Sequence, residues 1–149
     1  MKSRVMFFIK GGILSKYWVN CIQIRMNILT MIIETHHTGK TKTAEVISEE
    51  ILISNPEDGL QLMGDLYYQG FDKIILHEKN ISPDFFDLKT GIAGEILQKF
   101  SNYRVPLVIV GDFSSYGGKS IRDFIFESNN GRQVNFLPDL NTAIAKLSK

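Results

Sequence analysis

Ionisable and aromatic side chains are concentrated behind one apolar segment in the middle of the chain. Residues 73–76 have the composition of a strand that is covered on both faces, and the polar stretch that follows leads into a helix near Thr90. In open α/β sheets, ligands and partners usually bind beyond the carboxyl ends of the strands. We therefore expect the contact surface in this stretch and at the end of the next strand. The candidate contact residues are His77, Glu78, Asp84, Phe85, Phe86, Asp87, Lys89, Thr90 and Asp112.

An acid–base arrangement is one hypothesis for these residues. His77 and Glu78 follow one predicted strand, and Asp112 follows the next. If the two strands are neighbours, the three groups converge, and a histidine beside carboxylates is a usable acid–base pair. The sequence offers no convincing nucleophile, oxyanion motif or metal set to accompany them. A small enzyme or small-molecule-binding protein that uses these three residues is therefore the alternative hypothesis rather than the leading one.

The paired aromatic residues Phe85 and Phe86 have two interpretations. Ser82 and Pro83 in front of them are typical of an N-cap followed by proline at the first helical position, which predicts a single turn. In the first interpretation both rings pack into the core. In the second, one ring is exposed as a hydrophobic anchor with a charged rim. The sequence leaves both open.

Two short sequences, at residues 39–41 and 118–120, have the Gly-Lys-Ser/Thr ending of a phosphate-binding loop. The Walker pattern also needs a glycine five residues earlier, because the loop backbone must curl around the phosphates. Glu34 and Phe113 occupy those positions. The sequence therefore predicts no nucleotide binding and no cofactor.

The adjacent residues His36 and His37 suggest a metal site at first sight. Neighbouring residues of a strand point to opposite faces, so both cannot bind one ion without distortion. No cysteine or third histidine lies nearby in the sequence to complete a zinc set. We therefore expect exposed hairpin residues and predict no metal site.

Charge is unevenly distributed along the chain. Residues 27–149 contain 12 basic and all 16 acidic residues, a net charge of −4, which would be repelled by a phosphate backbone. Nucleic acid is therefore not the expected partner. The single cysteine, Cys21, excludes an intramolecular disulfide, and a cytoplasmic location is expected.

Residues 1–25 form a basic segment with short apolar runs. Lys10 and Lys16 interrupt those runs, so neither a secretory signal nor a membrane span of about 20 residues is predicted. We interpret residues 1–25 as an N-terminal extension (a leader, a tag or a mis-assigned start). Residues 26–149 are predicted to form a single domain.

Apolar periodicity and cap residues predict the order β-β-α-β-α-β-α-β-α. Strands at residues 31–37 and 43–47 form an N-terminal edge hairpin, and the later strands are expected at residues 73–76, 105–110 and 134–137. Helices are expected behind Asn55, from Thr90, from Lys119 or Ser120, and behind Asp139. The helix from Thr90 is expected to bury a stripe that ends at Tyr103. Alternating strands and helices indicate a parallel core, so the predicted fold is α/β with a mixed sheet.

Two resemblances accompany this prediction. Residues 47–147 resemble an uncharacterised bacterial family catalogued as domain of unknown function 4180, through residues 84–100 and 107–113. The order of elements is similar to that of the STAS domain, the module of anti-sigma-factor antagonists. That resemblance implies a regulatory loop between the central strand and the next helix, where STAS domains carry an Asp-Ser-Ser-Gly-type sequence. Here the matching residues 87–91 read Asp-Leu-Lys-Thr-Gly, with one extra residue and no serine, so Thr90 is the hydroxyl beside the glycine.

Together these observations favour a non-enzymatic regulatory or protein-interaction module with a STAS-like α/β domain. The expected contact surface is the loop of residues 80–91 and the start of its helix, and the expected partner is a protein. The alternative is the enzyme or ligand-binding protein built on His77, Glu78 and Asp112.

Overall fold

The computed structural model describes residues 7–9, 12–14 and 31–149. Its strands are β1 Phe7–Ile9, β2 Gly12–Leu14, β3 Met31–Thr38, β4 Thr41–Ser48, β5 Lys73–His77, β6 Leu107–Val110 and β7 Val134–Leu137. Its α-helices are α1 Pro56–Tyr68, α2 Ile92–Tyr103, α3 Lys119–Asn130 and α4 Leu140–Leu147. Short 3₁₀ turns cover Glu78–Asn80, Pro83–Phe85, Leu88–Thr90 and Phe113–Ser115.

Five strands form one mixed sheet in the order β3-β4-β5-β6-β7. β3 and β4 pair antiparallel around a turn at Gly39, whose φ of 66° suits glycine, while β4, β5, β6 and β7 pair in parallel. The mixed α/β class expected from the sequence is confirmed, and the STAS-like identity stays a prediction. β1 and β2 form an antiparallel sheet of their own, and the remainder of the predicted N-terminal extension lies outside the described residues.

Helices cover the two faces of the sheet unequally. α1, α2 and α3 pack with the side chains of Ile74, Leu76 and Ile109 in the main core. α4 packs on the opposite face in a smaller core that contains Ile75 and Val108. The alternation follows from strand geometry, since successive side chains of a strand point to opposite faces.

Two predicted helix caps, Asn55 and Asp139, are confirmed, and the helix expected from Thr90 begins two residues later, at Ile92. The side chain of Asn55 accepts a hydrogen bond from Asp58 N at the start of α1, and Pro56 is its first residue. Asp139 caps α4 by accepting from Thr142 N. The predicted burial of Tyr103 is wrong, because its side chain is 63% exposed. Tyr103 is the last residue of α2, and the last buried residue of its apolar stripe is Phe100.

The loop that follows β5 in the chain is hydrogen-bonded to the segment that follows β4. The buried Asn80 side chain donates to the carbonyls of Ser48 and Glu50 at 2.7 and 2.9 Å. A single parallel bridge then joins Ile53 to Ile81. These contacts fix the direction in which the chain leaves the sheet toward residues 82–91.

Candidate functional site

An open groove lies beside the loop that the sequence singled out. Its volume is about 420 Å³, and it runs between the turns at residues 86–89 and the start of α3. Such a position, beyond the strand ends of an α/β sheet, is the usual place for a binding site. The lining residues are Phe86, Asp87, Leu88, Lys89, Tyr116, Gly117, Gly118, Ser120 and Ile121.

A stacked aromatic pair forms one wall of the groove. The rings of Phe86 and Tyr116 have centroids 4.3 Å apart and are nearly parallel. The Tyr116 hydroxyl donates to Oε1 of Glu78 at 2.6 Å. Burial and the Glu78 carboxylate raise the pKa of Tyr116 above its ordinary value, so the hydroxyl keeps the proton that it donates. The wall is therefore held in position by Glu78.

Glu78 reaches this position because the residue beneath it has no side chain. A Cβ atom at Gly111 would overlap Cβ and Oε2 of Glu78 and come within 3.1 Å of its Cδ. Gly111 directly follows the neighbouring strand β6, and its N–H donates to the carbonyl of Leu137 at 3.0 Å. The glycine is thus a packing requirement rather than a flexible point.

The start of α3 supplies the polar part of the groove. Gly118 is the N-cap residue, no side chain caps the helix there, and its first turn contains no acidic residue. Backbone N–H groups at such a helix start lack partners within the helix, and they lie at the positive end of the helix dipole. With Lys89 on the opposite side, this part of the groove favours a negatively charged group.

Thr90 organises the loop that forms the other side. Its hydroxyl donates to the carbonyls of Asp84 and Asp87 at 2.7 and 2.8 Å, and it accepts from Ile92 N at 3.3 Å. The Thr90 hydroxyl therefore links the turns at residues 84–87 to the first residue of α2. Asp87 makes a second local contact by accepting from Lys89 N at 3.2 Å.

The two interpretations of the paired aromatics are now resolved. Phe85 is 1% and Phe86 is 5% exposed, so the interpretation with a protruding ring is wrong. The turn buries both because Phe85 contacts Phe136 and its ring lies at 68° to that of Phe86. One edge of Phe86 still lines the groove.

The three residues of the acid–base hypothesis do not meet. The side chain of His77 hydrogen-bonds to Glu45, and that of Glu78 hydrogen-bonds to Tyr116. Asp112 is exposed and accepts from the hydroxyl and the N–H of Ser114, and these bonds lower its pKa. Strands β5 and β6 are neighbours as assumed, but each of the three side chains has a different hydrogen-bond partner.

A buried polar cluster on the other face of the sheet was not expected. Glu45 is 3% exposed, and its two carboxylate oxygens lie 2.7 Å from Nε2 of His36 and 2.8 Å from Nε2 of His77. The hydrogen bond with His77 is the main cause that lowers the pKa of Glu45, the one with His36 adds to it, and burial opposes both. The carboxylate is therefore ionised at neutral pH.

The expected exposure of His36 is wrong, since this residue is 8% exposed. His37 is exposed, as expected, because it points to the opposite face of β3. Because successive side chains of a strand point to opposite faces, the sequence already indicates that only one of the two histidines can point inward. The register that brings His36 to Glu45, across β3 and β4, was not readable from the sequence alone.

Among the described residues, no helix has the length and apolar character that a membrane crossing requires. A family model described as domain of unknown function (DUF4180) matches residues 38–147. No curated protein and no solved structure matches the chain.

Proposed function

The chain belongs to this family of unknown function, DUF4180, and we propose that it is a non-enzymatic module that binds a segment of a partner protein in the groove between residues 86–89 and the start of α3. The observation that carries the proposal is the groove itself, which joins the loop singled out by the sequence to an uncapped helix start.

The shape and lining of the groove favour binding over catalysis. No histidine or cysteine is among its lining residues. Ser120 supplies a hydroxyl, but among the hydrogen bonds of the described residues none links it to a base. Activation of a hydroxyl nucleophile needs such a base within hydrogen-bond distance. These features support a proposal of binding rather than catalysis in the groove.

The lining also indicates the chemistry of the partner. Phe86, Leu88 and Ile121 offer an apolar surface, which suits an aliphatic or aromatic side chain. The start of α3 and Lys89 favour a carboxylate or a phosphate next to it. We expect an extended segment that has an acidic residue close to an apolar one.

A selection from a displayed peptide library tests this proposal. Gly117 lines the groove and has no atom within 4 Å of a Cβ position, so Gly117→Trp can add a large side chain there without a clash at its Cβ. Gly64 on α1 has the same open surroundings, and Gly64→Trp is the matched control. Peptides selected on the natural chain should combine acidic and apolar residues, lose binding to the first variant and keep binding to the second.

Two results would contradict the proposal. Peptides that bind both variants equally would place the contact surface elsewhere. Binding of inorganic phosphate or small carboxylates at the groove, without any enriched peptide, would favour the small-molecule alternative. Amide chemical shifts of residues 86–89 and 117–121 distinguish these results, because they report which residues the ligand contacts.

A further inference from the structure

The buried cluster on β3, β4 and β5 has the composition of a metal centre. Glu34, His36 and Glu45 each offer one ligand atom, and these atoms all lie within 4.8 Å of one another. Ligands of Zn²⁺ at about 2.0–2.2 Å from the ion are about 3.4 Å apart when they are arranged tetrahedrally. The three side chains therefore need only small adjustments to surround one ion.

The pairing of the strands places two carboxylates face to face. Glu34 is the direct partner of Glu45 in the β3–β4 register, so both side chains are on the same face of the sheet. Like charges directly opposite each other destabilise a pair of strands, and buried charges are normally paired or bound to metals. A cation between these side chains would remove the repulsion.

His36 has an unsatisfied nitrogen in this cluster. Its Nδ1 atom is buried and has no hydrogen-bond partner among the described residues. Its Nε2 lies 2.7 Å from Oε2 of Glu45, which is closer than two ligands of one ion, so an ion would replace this hydrogen bond. The protein alone thus leaves the polar groups of the cluster incompletely satisfied.

His77 is placed to support such a centre from outside. It contacts the second oxygen of Glu45, Oε1, and its side chain is 25% exposed. Groups that hydrogen-bond to a metal ligand orient it, and the exposure of His77 provides a route from solvent.

From this geometry we propose that Glu34, His36 and Glu45 bind a divalent first-row transition ion such as Zn²⁺, with His77 as the residue that orients Glu45. One imidazole with two carboxylates suits Zn²⁺ better than Mg²⁺, which prefers oxygen ligands and keeps its water. The site is separate from the groove and does not depend on the proposed function.

Calorimetric titration of the full-length chain, without an affinity tag, with Zn²⁺ and with Mg²⁺ tests the proposal. A Cys21→Ser background removes the only thiol. We expect saturable binding of one Zn²⁺ per chain and none of Mg²⁺ under the same conditions. His36→Gln and Glu34→Gln should abolish binding, and His77→Gln should weaken it about 10–100-fold.

His37→Gln is the matched control, because it removes an exposed histidine that lies on the opposite face of the same strand. It should leave binding unchanged. Equal loss in His36→Gln and His37→Gln, or the absence of saturable Zn²⁺ binding to the natural chain, would overturn the proposal. If His36→Gln fails to fold, the natural chain still decides the matter, because the ring-nitrogen resonances of His36 must shift on Zn²⁺ addition while those of His37 stay in place.

Discussion

Gly111→Ala should destabilise the fold through one contact, the one with Glu78. The added Cβ would overlap Cβ and Oε2 of Glu78, and the first of these atoms cannot move without its backbone. Glu78 would have to shift, and the hydrogen bond that it accepts from Tyr116 at 2.6 Å would lengthen or break. The aromatic wall of the groove would then lose its support.

The expected cost follows from three contributions. Overpacking of a well-packed site costs about 1–3 kcal/mol, and a hydrogen bond to a charged group contributes about 1.5–3 kcal/mol. Replacement of glycine by alanine also stabilises the folded state by about 0.4–1 kcal/mol, because alanine lowers the conformational entropy of the unfolded chain. The net loss of unfolding free energy should be about 1.5–5.5 kcal/mol, which lowers Tm by roughly 3–22 °C in a chain of this size.

Chemical denaturation of four proteins measures this effect: the natural chain, Gly111→Ala, Glu78→Gly and the double variant. In the Glu78→Gly background the overlapping side chain is gone, so Gly111→Ala should cost less than about 1 kcal/mol. Gly64→Ala on the exposed side of α1 is the control, and it should not destabilise. A cost for Gly111→Ala that is below about 0.5 kcal/mol, or is the same in both backgrounds, would refute the reasoning.

The remaining predictions concern Thr90, Asn80, nucleotide binding and residues 1–25. Thr90→Ala should lose about 1 kcal/mol of stability, and Thr90→Ser should lose little, because serine keeps the hydroxyl; urea unfolding compares them. Asn80→Ala should cost about 2–3 kcal/mol, because two backbone carbonyls lose their donor; a smaller loss in thermal unfolding would mean that water replaces the side chain. ATP and GTP with magnesium should give no saturable heat, and micromolar binding that disappears in Lys119→Ala would contradict this. Removal of residues 1–25 should change Tm by only a few degrees, and a larger fall would show that these residues support the domain.

The sequence predicts the strands and helices of residues 31–149 well because several of them have a local signal, whereas β1 and β2 were not predicted. Asn55 and Asp139 cap helices by contacts within three residues, and the apolar residues of β5 and β6 reflect burial on both faces. For the groove, the sequence predicts only a contact surface at residues 80–91 and not the shape of the site. Its second side comes from residues 116–121, and the pairing of β5 with β6 was needed to bring the two loops together.

The buried cluster could not be predicted in the same way. Glu45 lies in β4, whose alternating sequence is typical of a strand with one exposed face. Its two histidine partners are 9 and 32 residues away in the chain. Only the register of three strands brings them together. The predicted burial of Tyr103 is wrong for a related reason, because helical periodicity gives the direction of a side chain and not whether another element covers the end of the helix.

The order of the strands across the sheet is also their order along the chain. Each of β5, β6 and β7 therefore pairs with the strand that left the ribosome before it, and no strand is inserted between two that are already paired. The sheet can therefore grow by one strand at a time during synthesis. The strand that was added last has an unpaired edge until the next strand pairs with it. Because all four residues of β6 are buried in the finished protein, the chain is most exposed to aggregation after β6 has emerged and before β7 covers it. A chain that is truncated between Val110 and Val134 and released would leave β6 at the open edge of the sheet, and it should therefore depend most on chaperones.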